Sequence, residues 1–323
     1  MAMASVKGEN VTVSAAAAPR MKKLASMLCM KGGNGDGSYL NNSQAQALHA
    51  RRMLHFLEET LDAMMERSSS DKLFTAADLG CSCGSNSLFI VDVIVRRVSE
   101  AYESRGRDAP EFQVPEEVGD SASPAYNGGR VFVHRATEAV AAAYKRQFQA
   151  DLARFLRSRA REMKRGGAMF LACLGRSSGD PADQGGAGLL FGTHFQDAWD
   201  DLVQEGVVEG EKRDSFNIPV YAPSLQEFRD VVRADGAFAI DRLELVRGGS
   251  PLVVDRPDDT AEVGRAMANS CKAVAGVLVD AHIGERRGAQ LFERLERRAA
   301  RHARELVEKM HFFHVVCSLS LAP

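Results

Sequence analysis

The chain has 323 residues, enough to bury a sizeable core in one large domain. Its 41 Lys and Arg against 43 Asp and Glu leave a formal net charge of −2, which gives no electrostatic case for a nucleic-acid or anionic-membrane partner. The six cysteines, Cys29, Cys81, Cys83, Cys173, Cys271 and Cys317, form neither a disulfide framework nor paired metal-ligand spacing, and no apolar run reaches the roughly 18 residues of a membrane span, so reduced thiols and a cytoplasmic location are expected.

Residues 1–26 lack the apolar core of a signal peptide and read as a disordered N-terminus. A Gly-rich loop follows from Lys31 to Gln46. Leu48, Met53, Leu54, Leu57, Leu61 and Met64 then recur at helical spacing, and Ser68-Ser69-Ser70 breaks the pattern. A strand is predicted to end at Asp78, with a helix through Val91, Ile94 and Val98 to about Tyr102. Glu111–Val114 starts like another strand and stops at Pro115. A polar loop leads to Gly129, and Arg130–His134 (RVFVH) reads as β-like.

Next comes a long helix with Tyr144, Phe148, Leu152, Phe155, Leu156 and Met163 on one face, closed by Gly166-Gly167. Ala168–Leu174 reads as a buried strand. Between Gly175 and Ala222 the pattern gives a Gly-rich turn and a helix at Phe195–Val207. Leu225–Val232 reads as a helix and Phe238–Val246 as a strand; Ala261–Val279 and Gln290–Met310 read as helices and Phe312–Leu321 as a strand. The charges between Arg286 and Arg304 alternate in sign, as on a solvated helix face.

The segment with the most chemical content is DLGCSCGSN, Asp78–Asn86. An acidic residue at a strand end, then Gly80 and Gly84, then a helix N-terminus, is how a Rossmann-like domain receives a nucleoside cofactor. The spacing is not the GxGxxG of a pyrophosphate cradle, which argues against a nicotinamide-dependent oxidoreductase. Negative charge at Asp78 suits a cation such as the sulfonium of S-adenosylmethionine (SAM). Asp78 could also simply N-cap the following helix.

MKGGNGDGSYLNNSQ, ADLGCSCGSN, YKRQFQADLARFLRSRA and SFNIPVYAPS together resemble the plant SABATH carboxyl and N-methyltransferases, over nearly the whole chain from Met30. YLNNSQAQALHARRMLHFLEETL, GGAGLLFGTHFQDAWDDLV and GGSPLVV resemble most the members that esterify indole-3-acetate. The resemblance implies an α/β fold: a doubly wound, Rossmann-like methyltransferase sheet with a mostly helical cap. One domain over residues 27–323 is expected, with cap segments around 176–222 and 258–310. It implies a homodimer and a SAM cofactor bound by Ser43, Asp78, Gly80 and Asn86. Gln46 would donate to the substrate carboxylate. Phe191, Gly192, Cys271, Val274 and Phe312 would form the aromatic pocket, with Gly192 leaving room for an indole. Asn127, Asp214, Phe216 and Asn217 match a Mg²⁺ site, and their oxygens suit a hard cation.

Each residue also has a plainer reading. On pattern alone Phe191, Val274 and Phe312 read as core, Gln46 as a solvated helix residue, and Asp214-x-Phe216-Asn217 as a turn. No histidine shows metal spacing, and none is assigned to chemistry.

The sequence also departs from the family. A block of roughly 70 residues is missing where Val114 meets Pro115, far more than loop trimming removes. It ordinarily supplies the rest of a strand, the loop for the cofactor ribose and a tryptophan that pairs with Gln46. The tryptophan present, Trp199, lies elsewhere. A sheet that loses a strand or two there must re-pair or be left incomplete with exposed edges. It also raises a rival reading, a shortened splice form that binds ligands or dimerises without catalysis.

Overall fold

The structure, a computed structural model, describes Leu48 and residues 51–67 and 114–321. The expected strand ending at Asp78, the helix after it, and Ser43, Gln46, Gly80 and Asn86 lie outside the described residues.

Three strands are described: β1 (Ala168–Gly175), β2 (Phe238–Arg247) and β3 (Phe313–Leu321). Their order is β1-β3-β2, and both pairings are antiparallel. In β3 the residues Val315, Val316, Cys317 and Leu319 are all buried. Successive side chains on a strand point to opposite faces, so such a run demands cover on both. Val316 packs with Met53 and Phe56, beside helix α1 (Leu54–Arg67). Val315, Cys317 and Leu319 pack on the other side, with Leu156 of α2 (Glu138–Glu162) and with Phe228 and Val232 of α6 (Leu225–Asp235). Helices therefore flank both faces of the sheet, as an α/β layer architecture requires. β1 is only half-buried along most of its length, where the sequence pattern predicts a buried strand.

Local signals place these helices. Thr137 caps α2, its side chain accepting from the Val140 N–H. Ser224 and Glu227 form a complete capping box on α6, and Gly236 closes it in the left-handed region at φ 72°.

A second core is helical. Its elements are α3 (Gly185–Phe191), α4 (His194–Gln204), α5 (Gly210–Asp214), α7 (Thr260–Ile283), α8 (Glu285–Arg301) and α9 (Ala303–Lys309). Phe195, Trp199, Met267, Leu291, Leu295 and Leu306 sit inside it, each fully buried. Among the described residues no helix is long and apolar enough to cross a membrane.

Three elements differ from expectation. The helix predicted over Gln290–Met310 begins earlier and breaks at His302 into α8 and α9. GGAGLLF, expected as a turn, is helix α3. RVFVH is a set of buried bends rather than a strand. Its polar backbone is satisfied piecemeal: the Val131 N–H donates to Gln196 Oε1 at 2.8 Å, and the Val131 carbonyl accepts from the Ile218 N–H at 2.8 Å. A side chain has taken the place of a neighbouring strand, which a period of two cannot reveal.

Candidate active site

The site is built around α3. Its glycines let it pass between two other groups. A Cβ on Gly186 would run into the His311 carbonyl and would stand 2.6 Å from the Phe312 ring. A Cβ on Gly188 would stand 2.6 Å from Cγ and Cε1 of the His134 imidazole, and one on Gly192 would stand 2.5 Å from His134 Cβ. Glycine is a poor helix former, so close packing on both sides of α3 decides the helix against propensity. The space beside Gly192, expected to accommodate an indole, is filled by His134 in this structure.

Phe191, at the end of α3, meets Phe132 edge-on at 5.7 Å and Phe195 at 6.4 Å. Cys271 and Val274 lie three residues apart on α7; Cys271 is fully buried and Val274 packs on the same cluster. Phe312, just before β3, is anchored through its backbone to Gly248 and Gly249: its carbonyl accepts from the Gly248 N–H at 2.7 Å. Residues from three separate stretches, α3, α7 and the approach to β3, thus converge in one apolar cluster. They are packed as core, which is also what their pattern alone suggests.

The proposed metal set is brought together as well. Asn127 Nδ2 donates to Asn217 Oδ1 at 2.7 Å. Asp214 Oδ1 accepts from the Gly129 N–H at 2.9 Å and from Arg213 Nε at 2.8 Å. Arg213 also bridges to Asp200 at 2.8 Å. Phe216 is buried against Trp199, with ring centroids 4.9 Å apart. One carboxylate, two amides and a carbonyl are chemically suited to Mg²⁺. As arranged, protein donors hold Asp214 Oδ1 and Asn217 Oδ1. Among the described residues no group of three or more His, Cys, Asp or Glu could hold a metal.

Edge-on and tilted contacts run from Phe191 through Phe195 and Trp199 to Phe216, so the pocket candidates and the metal candidates share one aromatic file.

His134 is the residue the sequence pattern did not single out. It is buried, and its Nδ1 accepts from the Gln184 N–H at 3.1 Å. That bond leaves the ring proton on Nε2. Burial, reinforced by the nearby charges of Arg135 and Arg130, holds its pKa below 6.5 despite Asp183. The neutral ring and the hydrogen bond therefore agree. The signal for it was available: two glycines four apart, Gly188 and Gly192, mark one face of a short helix as a close-approach surface. Gln196 and Arg213, which hold RVFVH and Asp214, gave no such signal.

The comparisons with known proteins agree with one another. The family model described as SAM dependent carboxyl methyltransferase matches residues 25–114 and 113–322. The chain is 80% identical over 402 aligned positions to indole-3-acetate O-methyltransferase 1 of Oryza sativa subsp. japonica, covering 100% of both chains. It is 51% identical to indole-3-acetate O-methyltransferase 1 of Arabidopsis thaliana, over 97% of this chain and 99% of that one. The fold matches a solved loganic acid methyltransferase with SAH at a TM-score of 0.79 and 23% identity, over 91% of this chain and 99% of that one. Identities counted over 402 positions cannot exceed the 323 residues this chain has, so the match to the rice relative is close to its ceiling. The difference between the two chains is mostly a block that this chain lacks. The family match divides at residues 113 and 114, where the sequence places the gap.

Proposed function

Because the chain belongs to the family of SAM-dependent carboxyl methyltransferases, we propose that it esterifies indole-3-acetate, the acid named for its rice and Arabidopsis relatives. The single observation that carries this reading is the near-identity to the rice protein outside the missing block.

The chemistry asks little of acid–base groups. The acceptor carboxylic acid is already ionised at neutral pH, since carboxyl pKa values lie near about 4. SAM, when bound, supplies an electrophilic methyl that passes to a carboxylate oxygen while the C–S electron pair stays on sulfur. No proton moves. The chain's residues act by positioning and by excluding water. In the proposal Ser43 and Asp78 hold the methionine end of the cofactor, with Asp78 near the sulfonium, Gly80 and Asn86 complete the cofactor site, and Gln46 aims the carboxylate. Phe191, Cys271, Val274 and Phe312 present an apolar wall to the aromatic ring, and Gly192 lets the end of α3 pack against His134.

The finer proposals follow from the same resemblance. The protein would act in the cytoplasm as a homodimer, folded as one domain from residue 27 with helical caps around 176–222 and 258–310. Mg²⁺ would be held by Asn127, Asp214, the Phe216 carbonyl and Asn217. The protein bonds at these oxygens are Arg213 Nε to Asp214 Oδ1 and Asn127 Nδ2 to Asn217 Oδ1.

A second reading is favoured by the division of the family match at residues 113 and 114. It makes this chain a ligand-binding or dimer-forming variant without turnover. Methyl ester formation from labelled SAM and indole-3-acetate decides between the two. Turnover by this chain supports the enzyme. Turnover only after the absent block is restored supports the second reading. No ester from the restored, folded chain with any aromatic acid overturns both.

A further inference from the structure

We propose that His134 is a specificity-determining residue, a spacer whose ring thickness sets how far α3 stands from Phe312 and therefore how large an aromatic acid is accepted. The inference rests on the reading that Phe191 and Phe312 flank the acceptor.

The argument is one of contact on both sides of a helix. Gly188 in α3 and Gly192, the residue that caps its C-terminus, lie four residues apart, and the space beside both is filled by His134. A methyl group on Gly188 would overlap the imidazole, including Nδ1. A methyl group on Gly192 would stand 2.5 Å from His134 Cβ, 2.9 Å from Cδ2 and 3.0 Å from the Gly188 carbonyl oxygen. Gly186 presses the Phe312 ring and the His311 carbonyl instead. The helix is therefore wedged, with His134 on one side and Phe312 on the other.

His134 cannot slide out of the wedge. Its backbone is fixed by Arg130 Nη2, which donates to its carbonyl at 2.7 Å. The next residue, Arg135, sits at φ 59° with its N–H on the Ala182 carbonyl at 2.8 Å. The ring is pinned by the Gln184 N–H, one residue before α3 begins. The same residue thus fixes both the start of α3 and its spacing. Phe132, two residues earlier, touches Phe191, so the segment carrying the spacer also carries one wall contact. Because interiors are close-packed, removing ring atoms at 134 lets α3 relax toward the gap and away from Phe312.

The test uses four variants of the full chain. His134→Ala removes the spacer. His134→Asn keeps an acceptor for the Gln184 N–H but removes the ring. Gly188→Ala adds a clash with the ring, and His134→Ala with Gly188→Ala puts a methyl back where the ring was. Each is assayed for KM and kcat on indole-3-acetate and on the bulkier naphthalene-1-acetate. Where turnover is too slow, dissociation constants of the two acids are measured by calorimetry with S-adenosylhomocysteine bound. His134→Ala and His134→Asn are both expected to shift preference toward the bulkier acid by about tenfold, carried by KM rather than kcat. Gly188→Ala weakens both acids, and the double variant recovers most of the loss. An unchanged preference in His134→Asn, or a double variant no better than Gly188→Ala, overturns the spacer. If the parent chain binds neither acid, the functional reading falls and the spacer with it. If both acids bind and the ratio does not move, the spacer alone falls.

Discussion

Arg176 and Glu227 meet through two parallel hydrogen bonds, Nη2 to Oε1 at 2.6 Å and Nη1 to Oε2 at 2.9 Å, in the interior between β1 and α6. The Arg176 side chain is fully buried. Its remaining donors reach the Ala222 carbonyl at 2.5 Å and the Asp180 carbonyl at 3.1 Å. Tyr221 donates to Glu227 Oε2 at 3.1 Å, and the Ser224 N–H donates to the same oxygen at 3.0 Å. A buried pair is stabilising only when its other donors and acceptors are satisfied, and here they are.

Removing one partner strands the other. Arg176→Ala or Glu227→Ala is expected to lower stability by about 3–5 kcal/mol, measured by denaturant unfolding. Replacing both with apolar residues should cost much less than the worse single variant. Equal losses in single and double variants would deny the coupling.

The same carboxylate sets an acid window. Burial alone would push the Glu227 carboxyl up, but the Arg176 hydrogen bond, the Ser224 backbone N–H and the charges of Arg176 and Lys145 together hold it below 4.5. A depressed value in the folded state means stability that is complete above the ordinary carboxyl range and is lost as pH falls through the folded value. Buried His134 and His194, both held below 6.5 chiefly by burial, add an earlier loss that begins as the unfolded histidines protonate near pH 6.5. Unfolding free energy should therefore fall in two stages on acidification. Glu227→Gln should reduce the lower stage, to which Asp201 and other depressed carboxyls also contribute, and leave the upper one.

Thiol chemistry reports on the cores. Cys271 and Cys317 are buried, and burial pushes their thiols up, Cys317 to about 12. The thiolate is the reactive form, so neither should be alkylated at pH 8 in the native protein. Peptide mapping after a pulse of iodoacetamide should find both unlabelled until denaturant is added. Labelling under native conditions would mean that the helical core, for Cys271, or the sheet, for Cys317, opens freely.

In the proposed Mg²⁺ set, Arg213, which donates to Asp214 Oδ1 at 2.8 Å, would compete with the ion for that carboxylate. Arg213→Ala is expected to raise Mg²⁺ affinity by about tenfold, about 1.4 kcal/mol, read by calorimetry. Asp214→Asn should remove the heat of binding. Absence of heat in Arg213→Ala would show that the four-residue set does not take Mg²⁺.

Much of the described fold was legible where local and tertiary signals agree. Ser224-x-x-Glu227 marks the start of α6, and the apolar run of β3 marks a strand covered on both faces. RVFVH misled because alternation shows which residues are buried, not what satisfies the backbone, and a glutamine 65 residues away does so here. GGAGLLF misled because its glycines answer to His134 and Phe312, which no local propensity encodes. The break at His302 lies inside an unbroken amphipathic pattern: Leu295 and Ala299 before it and Ala303 and Leu306 after it are all buried. The gathering of Phe191, Cys271 and Phe312 came from family resemblance; their spacing alone gave no reason to group them.

β3, the last element described, lies between β1 and β2 and supplies every ladder of the described sheet. Among the described strands, β1 and β2 emerge without pairing to each other and find their shared partner only when residues 313–321 clear the ribosome. Those two ribbons are exposed to other chains until then. A premature stop a dozen codons upstream of the end would take away the seam that joins them, leaving both halves of the ladder open to aggregation.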